Sequence, residues 1–302
     1  MANRKTESQS LHESLVFDIG FWRELAPKFS IGSKIDTRAF ALTDTQKEKY
    51  NKKLVREGYV HLANPGLSCP FDEVAKTFTE IVSRGLPPVF FFVYDEPWIL
   101  NQQLSNLLKR LLHKEYAMLP DFWAWQVLPG ETGWKPHRDK IAGSLFPDKR
   151  PKSLTIWIPI TKAHPLNGCM YVIPADRDEE YGMENSVRGI AELSEIRALP
   201  AEAGDVLVWT QHLFHWSGHS ADIHDLPPRM SIAFEYQRRD VPPFRKPLLE
   251  PSALPNFEER LALIGKQVMQ YRHMYGYHQD LTNLAETIAK KYALPKGLGE
   301  DH

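Results

Sequence analysis

The sequence predicts an α+β fold, a β-sandwich or barrel core with helices packed outside it. Two observations carry that expectation. Short β-branched and aromatic runs, bounded by Pro, Gly and Asn, recur through the middle of the chain. Segments with helical spacing and capping chemistry flank them. Composition agrees: 302 residues, 42% hydrophobic and 25% charged, are ordinary for one large or two modest globular domains.

Residues 1–35 are mixed. The polar start is expected to be disordered, and 15–22 can pack on the body. Thr43-Asp44-Thr45-Gln46 opens a helix with a capping box, and Gly58 ends it as a left-handed cap. Tyr59–Leu62 reads as a strand, 71–84 as a helix closed by Gly85, and the aromatic run 89–94 as a strand. Leu104, Leu107, Leu108, Leu111 and Leu112 recur at helical spacing and are assigned to the core. Strands are then expected at 123–128, 153–160, 169–173, 204–210 and 229–237. Between them lie a Lys/Pro-rich loop, 140–152, and a polar insertion, 176–200, too long for a turn and so either a lid or a decoration. A proline-rich link, 242–255, leads to two helices, about 256–274 and 279–292. The expected organisation is one domain, 1–302, with a helical N-terminal part (1–115), a β-core (120–240) and C-terminal helices (250–302).

Charge excludes some classes of partner. Lys plus Arg number 37 and Asp plus Glu 38, so no global basic field points to nucleic acid. Cys69 and Cys169 make neither a zinc cluster nor a disulfide framework, and a reduced, cytoplasmic setting is expected. No run is long and apolar enough to span a bilayer. The expected partner is a small-molecule substrate; self-association into a homo-oligomer stays open.

The chemistry centres on His137-Arg138-Asp139. On an extended segment, 134–139, residues two apart share a face, so an imidazole and a carboxylate stand side by side as half of a metal site. A third ligand from a distant histidine would complete the 2-His-1-carboxylate arrangement of non-heme Fe(II) oxygenases. His212, His215 and His219 compete for that place. Arg229 opens a strand with Ser231 on the same face, and a planar guanidinium suits a carboxylate better than an ammonium does. Glu235 alternates in phase with Arg229, Ser231 and Ala233; facing a barrel interior, it needs either substrate or a buried base. Trp157 shares a face with Thr155, and Gln126 is a hydrogen-bonding candidate on the face opposite Trp125 and Val127. Arg138, inside the triplet, and Lys140, just after it, could meet an acidic substrate.

Taken in order, these pieces resemble the phytanoyl-CoA dioxygenase family of Fe(II)/2-oxoglutarate oxygenases over 43–237. The resemblance rests on the opening helix and strand of 43–62, His137-x-Asp139, and Trp157. It rests further on Asn167-Gly168-Cys169-Met170 with Val172-Ile173-Pro174, His215-x-Ser217-Gly218, and Arg229. It implies a double-stranded β-helix core of jelly-roll, cupin-like form. It also implies Fe(II) on His137, Asp139 and His215, the last favoured by the Gly204 strand start and the Ser217-Gly218 that follows. Arg229 and Ser231, with Trp157, would then hold 2-oxoglutarate, and O2 would be the second cosubstrate; Gln126 is a further cosubstrate candidate, and Arg138 and Glu235 substrate candidates, from their positions in the sequence alone. The implied reaction hydroxylates an aliphatic carbon of a small metabolite with release of succinate and CO2. Desaturation, cyclisation or epimerisation by the same chemistry is the alternative, and a non-catalytic metal-binding β-barrel is the alternative of another class. Asp139 also fills the place where related halogenases carry a small residue. The chain departs from the family pattern at Arg138, often Gln, and at Ala175-Asp176-Arg177, often Gly-Ser-His. The segment between His215 and Arg229 is slightly long and carries His219 and His224. These departures leave the iron chemistry intact and detach the substrate from the family name.

Overall fold

In the computed structural model, which describes residues 13–33, 38–186, 192–275 and 279–292, three helices precede the first strand. They are α1 (Glu13–Val16), α2 (Ile19–Leu25) and α3 (Asp44–Glu57), followed by β1 (Tyr59–Leu62). Next come α4 (Phe71–Ser83), α5 (Glu96–Gln103) and α6 (Ser105–Leu111). The middle holds β2 (Tyr116–Val127), β3 (Ser153–Pro159), β4 (Met170–Ile173), β5 (Arg197–Leu199), β6 (Val206–Thr210), β7 (Phe214–Ser217) and β8 (Arg229–Arg238). Helices α7 (Phe257–Tyr275) and α8 (Gln279–Lys291) complete the described chain. The strands form two antiparallel sheets, ordered β1-β6-β3-β8-β2 and β5-β4-β7. The mixed helix and sheet class expected from the sequence is therefore present.

Both faces of the five-stranded sheet are buried, and residue parity decides what each face meets. Leu154, Ile156 and Ile158 of β3, Val206 and Val208 of β6, and Met230, Ile232, Phe234 and Tyr236 of β8 join the large core shared with the helices. Their alternates Trp157, Leu207, Trp209 and Ala233 join a smaller cluster with Met170 and Val172 of β4 and Leu199 of β5. The second cluster thus lies between the two sheets, and the candidate site grows out of it.

Capping follows the sequence closely. Thr43 Oγ1 accepts from the Gln46 amide at 3.2 Å, Gln46 Oε1 accepts from the Thr43 amide at 2.9 Å, and Gly58 ends α3 at φ 79°. Other expectations need correction. The run 89–94 is not a strand; Pro88–Val93 is a 3-10 helix. Pro87 and Pro88 set its entry, and Val89 to Val93 are all fully buried, so no solvent face imposes a two-residue alternation. The leucines at helical spacing do form one helix, α6, with Leu104 and Leu112 at its caps, and α5 ends immediately before it. Strand β2 begins at Tyr116, well before 123, because a register shift between Met118 and Phe122 absorbs Pro120. Segment 134–139 is a loop making one isolated bridge, not a strand. The insertion 176–200 ends in β5, and β7 was not anticipated. The start expected to be disordered, 1–12, lies outside the described residues. Among the described residues no helix is long and apolar enough to cross a membrane.

Helix α7 is fastened to the irregularity in β2. Gln267 Nε2 and Lys266 Nζ donate to the Pro120 carbonyl at 2.8 and 3.0 Å, and Gln270 Nε2 donates to Asp121 Oδ1 at 2.9 Å. Its first turns are fixed by Arg260, which meets Asp95 at 2.6 Å and donates to the Val93 and Pro255 carbonyls. Asp95 also accepts from the Gly32 and Ser33 amides. Burial alone would raise its carboxyl, but those amides and Arg260 hold it below the ordinary range. Arg260→Ala leaves a buried carboxylate without its cation. The expected cost is about 3–5 kcal/mol, read as a lowered midpoint in thermal or urea unfolding; an unchanged midpoint would show that the pair is dispensable.

Candidate metal centre

Two backbone hydrogen bonds build the site. The His137 amide donates to the His215 carbonyl and the His215 amide to the His137 carbonyl, each at 3.0 Å, tying the loop to β7. The imidazoles come to 4.3 Å between ring centroids. His137 Nδ1 donates to the Lys135 carbonyl at 2.7 Å and His215 Nδ1 to the Leu213 carbonyl at 2.9 Å. A carbonyl only accepts, so each proton sits on Nδ1 and each Nε2 presents a lone pair. Asp139 is oriented from its other oxygen: Oδ2 accepts from Thr155 Oγ1 at 2.6 Å and from Trp209 Nε1 at 2.9 Å. Oδ1 is left 3.2 Å from His137 Nε2 and 3.5 Å from His215 Nε2. One ligand atom from each residue lies within 4.8 Å of the others.

Burial pushes His215 down to about 4, so at neutral pH it is an uncharged imidazole able to ligate. Burial alone would raise Asp139, but His215, His137 and the Thr155 hydroxyl hold it below the ordinary carboxylate range. Two nitrogen donors, one carboxylate oxygen and further open positions fit a divalent first-row metal, and Fe(II) in particular.

The triad stands in the wall of a cleft of about 590 Å³, counted to its open mouth. At one end Arg229, 1% exposed, donates to Ser231 Oγ and Ser217 Oγ at 2.7 Å and to the Gly168 carbonyl at 3.2 Å. Trp157 stands beside it, 5.8 Å from ring centroid to Cζ. Gly133 is a glycine for a steric reason: a Cβ there would overlap Ser217 and come within 2.8 Å of Arg229 Nη2. Ser231 lies behind Arg229 and positions it. Glu235, six residues along β8, lines the cleft with Asp121 and Tyr271, and Trp123, Trp125 and Trp134 line it as well, Trp125 in register with Ser231 and Trp123 with Ala233. Burial first, then the charges of Asp121 and Asp139, push the Glu235 carboxyl well above its ordinary range, against a hydrogen bond from Gln211.

The structure gathers His137, Asp139, His215, Arg229, Trp157 and Glu235 around one cleft. It does not bring Gln126 there. Trp125 takes the cleft face of β2, so its neighbour points away. Arg138 does not line the cleft either. Alternation that aims its neighbours inward buries its guanidinium against Asp178 at 2.8 Å, Ser186 Oγ at 3.0 Å and the His212 carbonyl at 2.6 Å. His212 packs edge-on against Tyr181, and His219 bonds Thr132; neither joins the triad. Sequence reasoning missed Trp209 and Tyr271. Trp209 could have been found from its parity with Leu207 on β6. Tyr271, on a helix more than thirty residues past β8, carried no local signal.

The family model described as Phytanoyl-CoA dioxygenase (PhyH) matches residues 36–223. A comparison with curated proteins finds no match. Among solved structures the chain is similar to ThoJ, a non-heme monooxygenase in its apo form, at 12% identity over 80% of this chain and 99% of that one, with a TM-score of 0.52. It is similar to the non-heme alpha ketoglutarate dependent epimerase SnoN of nogalamycin biosynthesis at 16% identity, 71% and 96% coverage and TM-score 0.44. It is similar to EctD from S. alaskensis, solved with 2-oxoglutarate and 5-hydroxyectoine, at 14% identity, 69% and 80% coverage and TM-score 0.47. At 12% identity the likeness to ThoJ is one of fold.

Thr155 touches no ligand position, yet it fixes which carboxylate oxygen faces the histidines. Thr155→Val keeps the shape and removes the donor. Affinity for a divalent metal, titrated by calorimetry, should fall about 10- to 100-fold with the unfolding midpoint little changed.

Proposed function

The chain belongs to the phytanoyl-CoA dioxygenase family and is a non-heme iron and 2-oxoglutarate enzyme, and from that premise we propose that it hydroxylates an aliphatic carbon of a small-molecule metabolite. The observation that carries the reading is the convergence of His137 Nε2, Asp139 Oδ1 and His215 Nε2 on one wall of the cleft that ends at buried Arg229. These three atoms would hold Fe(II). When bound with 2-oxoglutarate and O2, the iron supplies the oxidising chemistry, and succinate and CO2 leave.

The protein's own part is placement. The carbonyls of Lys135 and Leu213 keep both imidazoles in the ligating tautomer. Thr155 and Trp209 keep Asp139 to a single ligating oxygen. Arg229, braced by Ser217 and Ser231, would take the far carboxylate of 2-oxoglutarate with its planar fork, beside Trp157. The core between the two sheets would have the double-stranded β-helix form, and the whole of 1–302 would act as one oxygenase domain.

Protein purified without oxygen and loaded with Fe(II) should release succinate from 2-oxoglutarate on exposure to air. His137→Ala, Asp139→Ala and His215→Ala should each abolish this, while His212→Ala and His219→Ala retain part of it. Losing the partner of a buried carboxylate typically costs about 2–5 kcal/mol of binding, so Arg229→Ala should raise the 2-oxoglutarate KM by more than about tenfold with Fe(II) affinity kept. Wild-type turnover by His215→Ala would sink the ligand assignment.

A further inference from the structure

Glu235 has one oxygen engaged. Gln211 Nε2 donates to Oε2 at 2.6 Å, and among the described residues no cationic side chain forms an ion pair with the carboxylate. The nearby cations are occupied elsewhere. Arg245 lies 3.1 Å from Asp121 Oδ2 and Lys266 3.8 Å from Oδ1, and the Lys140 ammonium stands 4.2 Å over the Phe244 ring. The sequence left two roles for an inward carboxylate on β8, a buried base or the substrate, and the structure supplies an amide in place of the base.

The cleft that Glu235 lines has an aromatic wall. Trp134 meets Tyr271 edge-on at 5.3 Å, and Tyr271 meets Trp123 at 4.7 Å. All three line the cleft with Glu235, and Trp134 also reaches the metal ligand His137, 5.2 Å away. Aromatic faces carry negative potential and attract cations, more strongly where water is kept out. A carboxylate beside such a wall suits a positive group. Beside a neutral occupant the carboxyl stays protonated and offers only a hydrogen bond, an anionic occupant would meet repulsion from Asp121, and a cation alone draws the carboxylate form of Glu235 into an ion pair.

Resting on the iron and 2-oxoglutarate reading above, we propose that the substrate carries a protonated amine, bound by Glu235 through Oε1 and packed against Trp134 and Tyr271. The amine is a handle, not a reactant. The oxidised C–H lies on the side of the substrate that faces His137, Asp139 and His215. One oxygen atom of O2 enters that bond as hydroxyl, the other enters succinate, and the ammonium keeps its proton.

Cyclohexylmethylammonium, cyclohexylmethanol and cyclohexanecarboxylate share a skeleton and differ in headgroup charge. Each is titrated without oxygen into full-length protein loaded with Ni(II) and 2-oxoglutarate, with tryptophan fluorescence as the readout. The ammonium should bind more tightly than the alcohol by about tenfold or more, and the carboxylate most weakly. Glu235→Gln should bring ammonium and alcohol to within about twofold, with Ni(II) and 2-oxoglutarate affinity kept. Tyr271→Leu, which keeps the carboxylate, should weaken the ammonium by about threefold or more. Equal binding of the three probes, preference for the carboxylate, no binding of any, or a preference that survives Glu235→Gln overturns the proposal. Failure of wild-type protein to take up Ni(II) or 2-oxoglutarate counts instead against the iron and 2-oxoglutarate reading itself.

Discussion

The reciprocal backbone bond between His137 and His215 is the constraint on which the cleft depends. It ties the loop after β2 to β7, a strand of the smaller sheet. Two residues further on, Asp139 is gripped by Thr155 of β3 and Trp209 of β6, strands of the larger sheet. One tripeptide thus bridges both sheets, and each anchor uses a different kind of bond. Were the triplet on a regular strand, its ligands would follow the pleat of that strand. On a loop pinned at both ends, they take their geometry from two rigid walls.

Arg138 shows how the intervening residue contributes. Alternation sends its side chain away from the cleft, where it is fully buried with Asp178. A buried ion pair returns little net stability over an apolar replacement, because both charges lose their water. What it supplies here is position. The guanidinium also donates to the His212 carbonyl, three residues before His215, and to Ser186. The ligand loop, the approach to β7 and the segment after β4 therefore meet at one cation. The residue that looked from sequence like a substrate contact is an internal brace.

What the sequence made legible follows from which signals are local. Helix α3 was readable from Thr43, Gln46 and Gly58 because its boundaries are set by residues at its own two ends, a side-chain capping box and a left-handed glycine. The inward set on β8 was readable from parity alone. The Pro88–Val93 turn was not, because residues buried on every side lack the contrast between faces that distinguishes a strand from a tight helix. The ligand set was legible because its residue types are chemically unusual together. The shell that orients it was not, since a threonine and a tryptophan on ordinary strands have good packing reasons to be there. Tyr271 reaches the cleft only because α7 is fastened to the break in β2 around Pro120, a contact across nearly 150 residues of chain.

Strand β8 sets the length of the site. Arg229 and Glu235 are six residues apart on one face, which at about 3.3 Å per residue places their backbone positions about 20 Å apart. Between them the same face carries Ser231, which braces the arginine, and Ala233, which pairs in register with Trp157. A methyl opposite an indole lets the cleft stay open where a larger residue would close it. The strand is bonded to β3 on one side and β2 on the other through most of its length, so this spacing cannot adjust. A molecule seated toward Glu235 and one seated at Arg229 must share that fixed span, with the His137, Asp139 and His215 cluster in the wall between. The strand thereby limits how far a polar handle on the substrate can lie from the carbon that is oxidised.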